Sequence, residues 1–382
     1  MRSEVDAVVI GAGIVGAATA TALTRAGSRV AVLDRSVPNT AGSGTTAGNL
    51  HIQTIHARRP GQGIPVDVEL LLPLQKATSG LWDDLADSVP DLGLVRCGGF
   101  MVAETADQVR RLHTKYAWER AAGIPTEVLT GDEARRALPT LGPTVEAATW
   151  CDWDGFAEPD MAGPALLRQA VIEGATMHSN TPVTALHRTS EGWEVRTPAG
   201  NWHTPVVIDA AGPWMADIAA LAGVPLDLTP TSLQMHSLAA APKTLEVLVQ
   251  HVGEGMSIKQ DRRDRLVLGG GWPAGPFHTS HAAPALESST AGNLAQVARL
   301  LPALSGGPLL DTWTGPVVTT PDEMPVIGGL DGAPGIFLAG GTYSFTFAPL
   351  WAELLTALAL GRATSLDVSA FSPSRLVRLP KQ

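Results

Sequence analysis

Cysteine is nearly absent: two residues in 382, Cys97 and Cys151, far apart and outside any C-x-x-C spacing. That excludes a disulfide scaffold and any thiolate zinc or iron-sulfur site, and leaves both as ordinary apolar side chains. Tyrosine is equally scarce at two residues, and charged residues make up only 17% of the chain. Basic residues are outnumbered 27 to 37, a formal charge of -10, so no electrostatic reason exists to bind nucleic acid or an anionic membrane. No apolar run approaches the roughly 20 residues that span a bilayer. What remains is a small-molecule or protein-binding chain, 45% hydrophobic, long enough for two packed domains. Its 40 glycines and 29 prolines are spread throughout, which favours interleaved domains over domains on a linker.

Against that background the N-terminus is rich in signal. The apolar run Val5 to Ile10 reads as a buried parallel strand. Gly11-Ala12-Gly13-Ile14-Val15-Gly16 follows at once, then a helix over Ala17 to Ala26, a second strand Val30 to Leu33, and Asp34. This is a dinucleotide-binding fingerprint in full context. Gly11 permits the tight turn, Gly13 lets a pyrophosphate approach the backbone, and Gly16 lets the helix lie close to the strand. The helix start offers free N–H groups and a partial positive charge. Asp34 is placed for a ribose hydroxyl, which argues against a ribose 2'-phosphate and so against NADP. Because that strand begins at Val5, no cleavable signal precedes it, and a cytoplasmic protein is expected.

Further on, helices are expected over Asp67 to Ala86, Ala106 to Ala122, Gly131 to Leu138, Met161 to Glu173 and Pro349 to Leu360. Strands are expected at Phe100 to Ala103, Ala175 to His178, Trp193 to Thr197, Trp202 to Ile208, within Leu233 to Val252, and at Phe337 to Ala339. Met256 to Trp272 reads as a hairpin turning at Asp261 to Asp264, whose Arg262, Arg263 and Arg265 are taken as solvated charges. Met161, Met235 and Met256 need no role beyond filling space.

Three separated blocks carry a resemblance: Ser43 to His51 behind the fingerprint, Val207-Ile208-Asp209-Ala210-Ala211-Gly212-Pro213-Trp214, and Thr320 to Gly328 leading into Ala339-Gly340-Gly341. Together they resemble the D-amino-acid oxidase superfamily of FAD enzymes, which includes glycine oxidase. The segments Leu233-Gln234-Met235, Ile258-Lys259-Gln260 and Leu268 to Ala274 are similar to the FAD subunits of opine oxidases, hydroxyproline dehydrogenases and hydrogen cyanide synthases. The resemblance implies an α/β fold. In it, an FAD-binding Rossmann-like domain (1–90, 145–225 and 315–382) is interleaved with an α+β substrate domain (91–144 and 226–314) built on a mainly antiparallel sheet.

The resemblance also implies roles. FAD would meet Gly11, Gly13, Ile14, Val15 and Gly16 at the pyrophosphate, Asp34 and Arg35 at the adenosine end, and Val183 at the adenine. Thr45, Thr46, Ala47, Gly48, Asn49 and Leu50 would approach the ribityl chain and ring edge. Ala211, Gly212, Trp214, Gly340, Gly341, Thr342, Tyr343, Ser344, Phe345 and Thr346 would complete the pocket. The implied reaction takes a hydride from a carbon bearing an amine to flavin N5, leaving an imine that water hydrolyses. It needs no metal and no nucleophile. His51, Gln53, Lys259 and Tyr343 are the substrate-pocket candidates. His51 and Gln53 read alternatively as loop groups bonded to backbone, Lys259 as a solvated strand residue, and Tyr343 as a packed ring.

Two departures matter. Glycine-oxidase-like members place an arginine where Val317 stands, and sarcosine-oxidase-like members place a lysine where Leu266-Val267-Leu268 is apolar. The second departure points to a dehydrogenase that hands electrons to a protein subunit or quinone, with an oxygen-using oxidase as the alternative. An FAD monooxygenase driven by NAD(P)H and a flavoprotein subunit without turnover are the rivals from other classes. The loop Pro273 to Pro284, with Gly275, His278 and His281, reads either as a gate or as plain surface.

Overall fold

A computed structural model describes residues 2–54, 68–280 and 282–378. At its centre is a six-stranded sheet in the order Thr176–His178, Val30–Leu33, Ala7–Ile10, Val206–Asp209, Ile336–Gly340, Val326–Gly329. The first five strands run parallel and the last is antiparallel. Ala7–Ile10 and Val30–Leu33 are buried at every position, as strands covered on both faces must be.

The helix Ile14–Arg25 packs against Pro159–Ile172 on one side and Ala348–Ala359 on the other. Its small residues Gly16, Ala17 and Ala20 allow that double contact. Thr19, Thr21 and Thr24 are buried there because each hydroxyl donates to the carbonyl four residues back, at 2.8, 3.0 and 2.9 Å.

An eight-stranded sheet stands beside this unit, in the order Leu309–Thr319, Thr229–Ala239, Arg265–Gly269, Ser257–Gln260, Leu248–His251, Gly99–Ala103, Ala147–Cys151, Glu127–Thr130. Every neighbouring pair is antiparallel except Leu248–His251 with Gly99–Ala103. Among the described residues there are two smaller sheets. One has four strands, and the other joins Asn49–Leu50, Gly155–Ala157 and Leu94–Val95. No described helix is long and apolar enough to cross a membrane.

The elements differ from expectation where tertiary pairing decides. Trp202 to Ile208 is not one strand. Pro205 lacks an N–H for the ladder, so Gly200–Thr204 stays in the four-stranded sheet and Val206–Asp209 enters the central one. Ala147–Cys151, expected with the cofactor domain, hydrogen-bonds into the eight-stranded sheet. Leu309–Thr319 likewise crosses the expected boundary at 315. The helix expected from Asp67 runs over Leu72–Ser88 after a 3-10 turn at Val68–Leu71, and Asp67 itself lies outside the described residues. Ala106–Ala122 matches its expectation, with Thr105 accepting from the Gln108 N–H and Gly123 closing the helix at φ 82°.

Candidate functional site

Where the carboxyl ends of the central strands meet the face of the eight-stranded sheet, a cavity of about 660 Å³ runs through the molecule. That location is where an open α/β sheet takes its ligand, and the volume is that of a cofactor and small-substrate site. The floor is the glycine turn. A Cβ on Gly11 would stand 2.5 Å from the Ala210 carbonyl oxygen, and one on Gly13 would stand 2.8 Å from Ser43 Oγ. Only hydrogen fits at Gly11, whose φ is 101°, while a side chain at Gly13 would push Ser43 aside. Ser43, to which neither motif nor resemblance gives a role, accepts from the Ile14 N–H at 2.9 Å at the helix start. Asp34 lines the cavity and organises the turn: Oδ2 accepts from the Ala12 N–H and Oδ1 from the Ser36 N–H, both at 2.8 Å.

At one end Arg35 lies over the Trp214 ring with its guanidinium carbon 4.0 Å from the ring centroid, and it donates to the Thr279 carbonyl. Phe277 approaches Trp214 at 5.9 Å. The loop expected at Pro273 to Pro284 therefore reaches across to the cofactor unit. Its Gly275 and His278 do not line the cavity, and His281 lies outside the described residues.

At the other end the turn 341–347 precedes the helix Ala348–Ala359 and lines the wall through Gly341 to Thr346. Tyr343 sits there at φ 63°, a left-handed conformation that costs an L-residue roughly 1 kcal/mol and that is held by the site around it. The His51 ring meets the Tyr343 ring edge-on at 6.2 Å. Burial pulls the His51 pKa down to about 4, against a hydrogen bond with Gln250, so the imidazole is neutral at pH 7. Met235, Met256, Gln250 and Val317 line the wall nearby.

The candidates separate cleanly. The cavity brings together Gly11, Gly13, Ile14, Val15, Asp34, Arg35, Thr46, Ala47, Asn49, Val183, Ala211, Gly212, Trp214, Gly340 and the stretch Gly341 to Thr346, with His51. Gly16, Thr45, Gly48 and Leu50 do not line it. Gly16 and Gly48 let backbones touch: a Cβ would meet the Gly11 oxygen at 1.9 Å and the Ala157 oxygen at 2.1 Å respectively. Thr45 gives its carbonyl to the Trp313 indole N–H at 2.8 Å, and Leu50 is core.

Gln53 is not a pocket residue. Its side chain is fully buried behind the cavity, donating to the Gly99 carbonyl and Asp154 at 2.9 Å each and accepting from Lys115 at 2.8 Å and Thr149 at 2.7 Å. Lys259 is neither in the cavity nor solvated. It is 1% exposed, with Nζ 3.6 Å from the Phe156 ring centroid and 3.7 Å from Glu158. Burial lowers its pKa to about 8. The alternation of the strand Ser257–Gln260 is legible in sequence, but which neighbouring element covers Lys259 is not. Arg262 and Arg263 are turn charges, though both pair with Asp160, at 2.9 and 2.5 Å.

The sequence profile of the family described as "FAD dependent oxidoreductase" matches residues 6–358. The chain belongs to that family. It is 27% identical over 384 residues to glycine oxidase from Geobacillus kaustophilus, covering 98% of each chain. To an opine oxidase subunit of Rhizobium meliloti it is 26% identical over 379 residues, covering 97% of this chain and 98% of the relative. The crystal structure of the Geobacillus glycine oxidase superposes with a TM-score of 0.87 at 25% identity, over 98% of this chain and all of that one. L-proline dehydrogenase from P. horikoshii shares the fold, with a TM-score of 0.88 at 24% identity over 98% of both chains.

FAD, the cofactor of this family, fits the residues present. Gly11 and Gly13 carry no side chain of their own, so the backbone of the turn lines the cavity directly. Three buried polar atoms on cavity-lining residues, Asn49 Oδ1, His51 Nδ1 and Trp214 Nε1, have no hydrogen-bond partner among the described residues. Such orphans carry a cost that a bound polar group relieves.

Proposed function

We propose that this FAD-dependent oxidoreductase oxidises the carbon–nitrogen bond of a small amine or amino acid, as a dehydrogenase whose electrons pass to a protein partner or quinone. The observation that carries the reading is the cavity itself. It joins the dinucleotide turn at Gly11 and Gly13 to a pocket walled by His51, Tyr343, Met235, Met256 and Val317. When bound there, FAD supplies a hydride acceptor. The protein's own work is then to bind, orient and exclude water. A neutral His51 keeps Nδ1 without a partner among the described residues, one ring nitrogen that suits hydrogen bonding to an uncharged amine. The apolar wall excludes water around the donor carbon.

Among the described residues Arg35, at the far end, is the only lysine or arginine lining the cavity. Val317 occupies the wall where an arginine would clamp a carboxylate. This supports a substrate whose carboxylate, if it has one, is met by neutral donors. Val267 packs with Ala47, Met235 and Trp313, an apolar setting that favours a dehydrogenase over an oxidase. The names of the relatives, a glycine oxidase and an opine oxidase subunit, support a carbon–nitrogen donor.

The test is anaerobic titration of the yellow holoprotein with amino acids, N-methyl amino acids, cyclic imino acids and opines. Bleaching of the visible flavin band by one class is expected. The reading fails if no amine bleaches the band or if NAD(P)H alone does so. Stoichiometric peroxide in air would overturn the dehydrogenase assignment.

A further inference from the structure

Behind the cavity, three consecutive backbone N–H groups are held by two buried carboxylates from other elements. Asp154 Oδ1 accepts from Ile52 N at 2.8 Å and Gln53 N at 2.9 Å, and Glu119 Oε1 accepts from Thr54 N at 2.6 Å. Asp154 Oδ2 accepts from Gln53 Nε2 at 2.9 Å and from Gln250 Nε2 at 3.4 Å. Glu119 is paired in turn with Lys115 at 2.8 Å, and all three ionisable side chains are fully buried. Burying so many charges is costly, and a loop needs far less to be ordered. The residue these amides follow is His51. Gln250 bonds Asp154 and lines the cavity with His51, whose pKa it holds up against burial.

We propose that Asp154 is a positioning residue for His51, acting through Gln250 and through the clamped backbone of residues 52–54, and that its protonation loosens the hold. The proposal rests on the reading that flavin and substrate meet beside His51. As a carboxylate, Asp154 receives four donors and needs no proton. A protonated Asp154 must instead donate, and the longest of the four bonds, that from Gln250, is the one its O–H displaces. The Gln250 amide then reorients against His51.

Burial raises the Asp154 pKa to about 6, despite the Gln53 bonds and Lys115 that oppose it. The other groups facing it are the Lys115–Glu119 pair on the helix Ala106–Ala122, Cys97, Cys151 and, next to Cys97, Lys259. Burial pushes the thiols up to about 11 and 12, Lys259 loses its proton only at about 8, and His51 gains one only at about 4. Among these thiols, Lys259, His51 and Asp154, it is Asp154 that changes charge between pH 5 and 7.

The test follows the His51 ring ¹⁵N signal in holoprotein, assigned with His51→Asn, from pH 5 to 8 in wild type, Asp154→Asn and Gln250→Leu. In parallel, the anaerobic rate of flavin reduction by an amine substrate is recorded over the same range. Wild type is expected to show a step with its midpoint near pH 6 in both readouts. Both variants are expected to lose the step. A step that persists in Asp154→Asn, or no step in the wild-type His51 signal, overturns the proposal. Should Asp154→Asn fail to fold, Gln250→Leu decides alone, because it keeps the carboxylate and its other three donors. If the ¹⁵N step is present and no amine reduces the flavin, the positioning role stands and the substrate reading falls.

Discussion

Replacing Gly16 by alanine tests the physical basis of the dinucleotide site. The new Cβ would lie 1.9 Å from the Gly11 carbonyl oxygen, 3.0 Å from its carbon and 3.3 Å from Val9 Cγ1. Helix and turn must separate by about 1.5 Å to restore ordinary van der Waals contact. Neither side yields easily. Gly11 N is tied to the Leu33 carbonyl at 2.8 Å, and the helix Ile14–Arg25 is wedged between two others. The cost therefore sits at the upper end for overpacking, about 3 kcal/mol, which for a chain of 382 residues corresponds to a Tm fall of roughly 4 °C. The same displacement moves the helix N-terminus from the pyrophosphate, so FAD affinity should fall at least about tenfold. Gly80 is the control. It lies exposed inside the helix Leu72–Ser88, and a methyl group placed there would meet nothing within 4 Å, so Gly80→Ala should stabilise by about 0.5–1 kcal/mol. Thermal melts of apo- and holoprotein and flavin-fluorescence titration read both. A Gly16→Ala protein matching wild type in Tm and FAD affinity would refute the reasoning.

Asp34→Ala strips the acceptor from the Ala12 and Ser36 N–H groups; a stability loss of about 2 kcal/mol and FAD binding weaker by roughly 10–100-fold are expected by calorimetry. His51→Ala should leave FAD affinity within about threefold while lowering the stopped-flow rate of flavin reduction at least about tenfold. Lys259 has a folded pKa of about 8, below its ordinary value. The unfolded chain therefore holds the proton more tightly, and stability is lost as pH falls from about 10.5 to 8 and then stays flat. Lys259→Met removes that penalty, on the order of 3 kcal/mol at most, less what Glu158 loses as a partner. Its Tm advantage over wild type should be present at pH 7 and fade by about pH 10.5; an advantage independent of pH would disprove the assignment.

Much of the cofactor end is legible in the sequence because its requirements are local. Gly11, Gly13, Asp34 and Gly340 sit at strand ends, where a fixed spacing dictates a fixed geometry. The substrate end is less so. Gln53 follows His51 by two residues, yet it serves a buried network, because Asp154 and Lys115 arrive from distant segments to claim it. Lys259 reads in sequence as ligand or solvated charge and is neither, because Phe156 and Glu158 close over it. Ser43 and Met235 stand in resemblance-carrying segments without a role assigned to them, and nothing in the sequence marks Gln250 as a residue of the cavity wall. Their places there come from which face of a strand or turn the second sheet presents.

The sequence alone determined the parallel strands, the glycine turn and the class of cofactor, since each depends on contacts within a few residues or on one repeated spacing. Only the tertiary structure decided which polar side chains face the cavity and which are spent holding its wall. That choice rests on burial and hydrogen-bond satisfaction across segments far apart in the chain, as between Gln53 and Asp154 at a separation of 101. A buried donor takes whatever acceptor the fold brings to it.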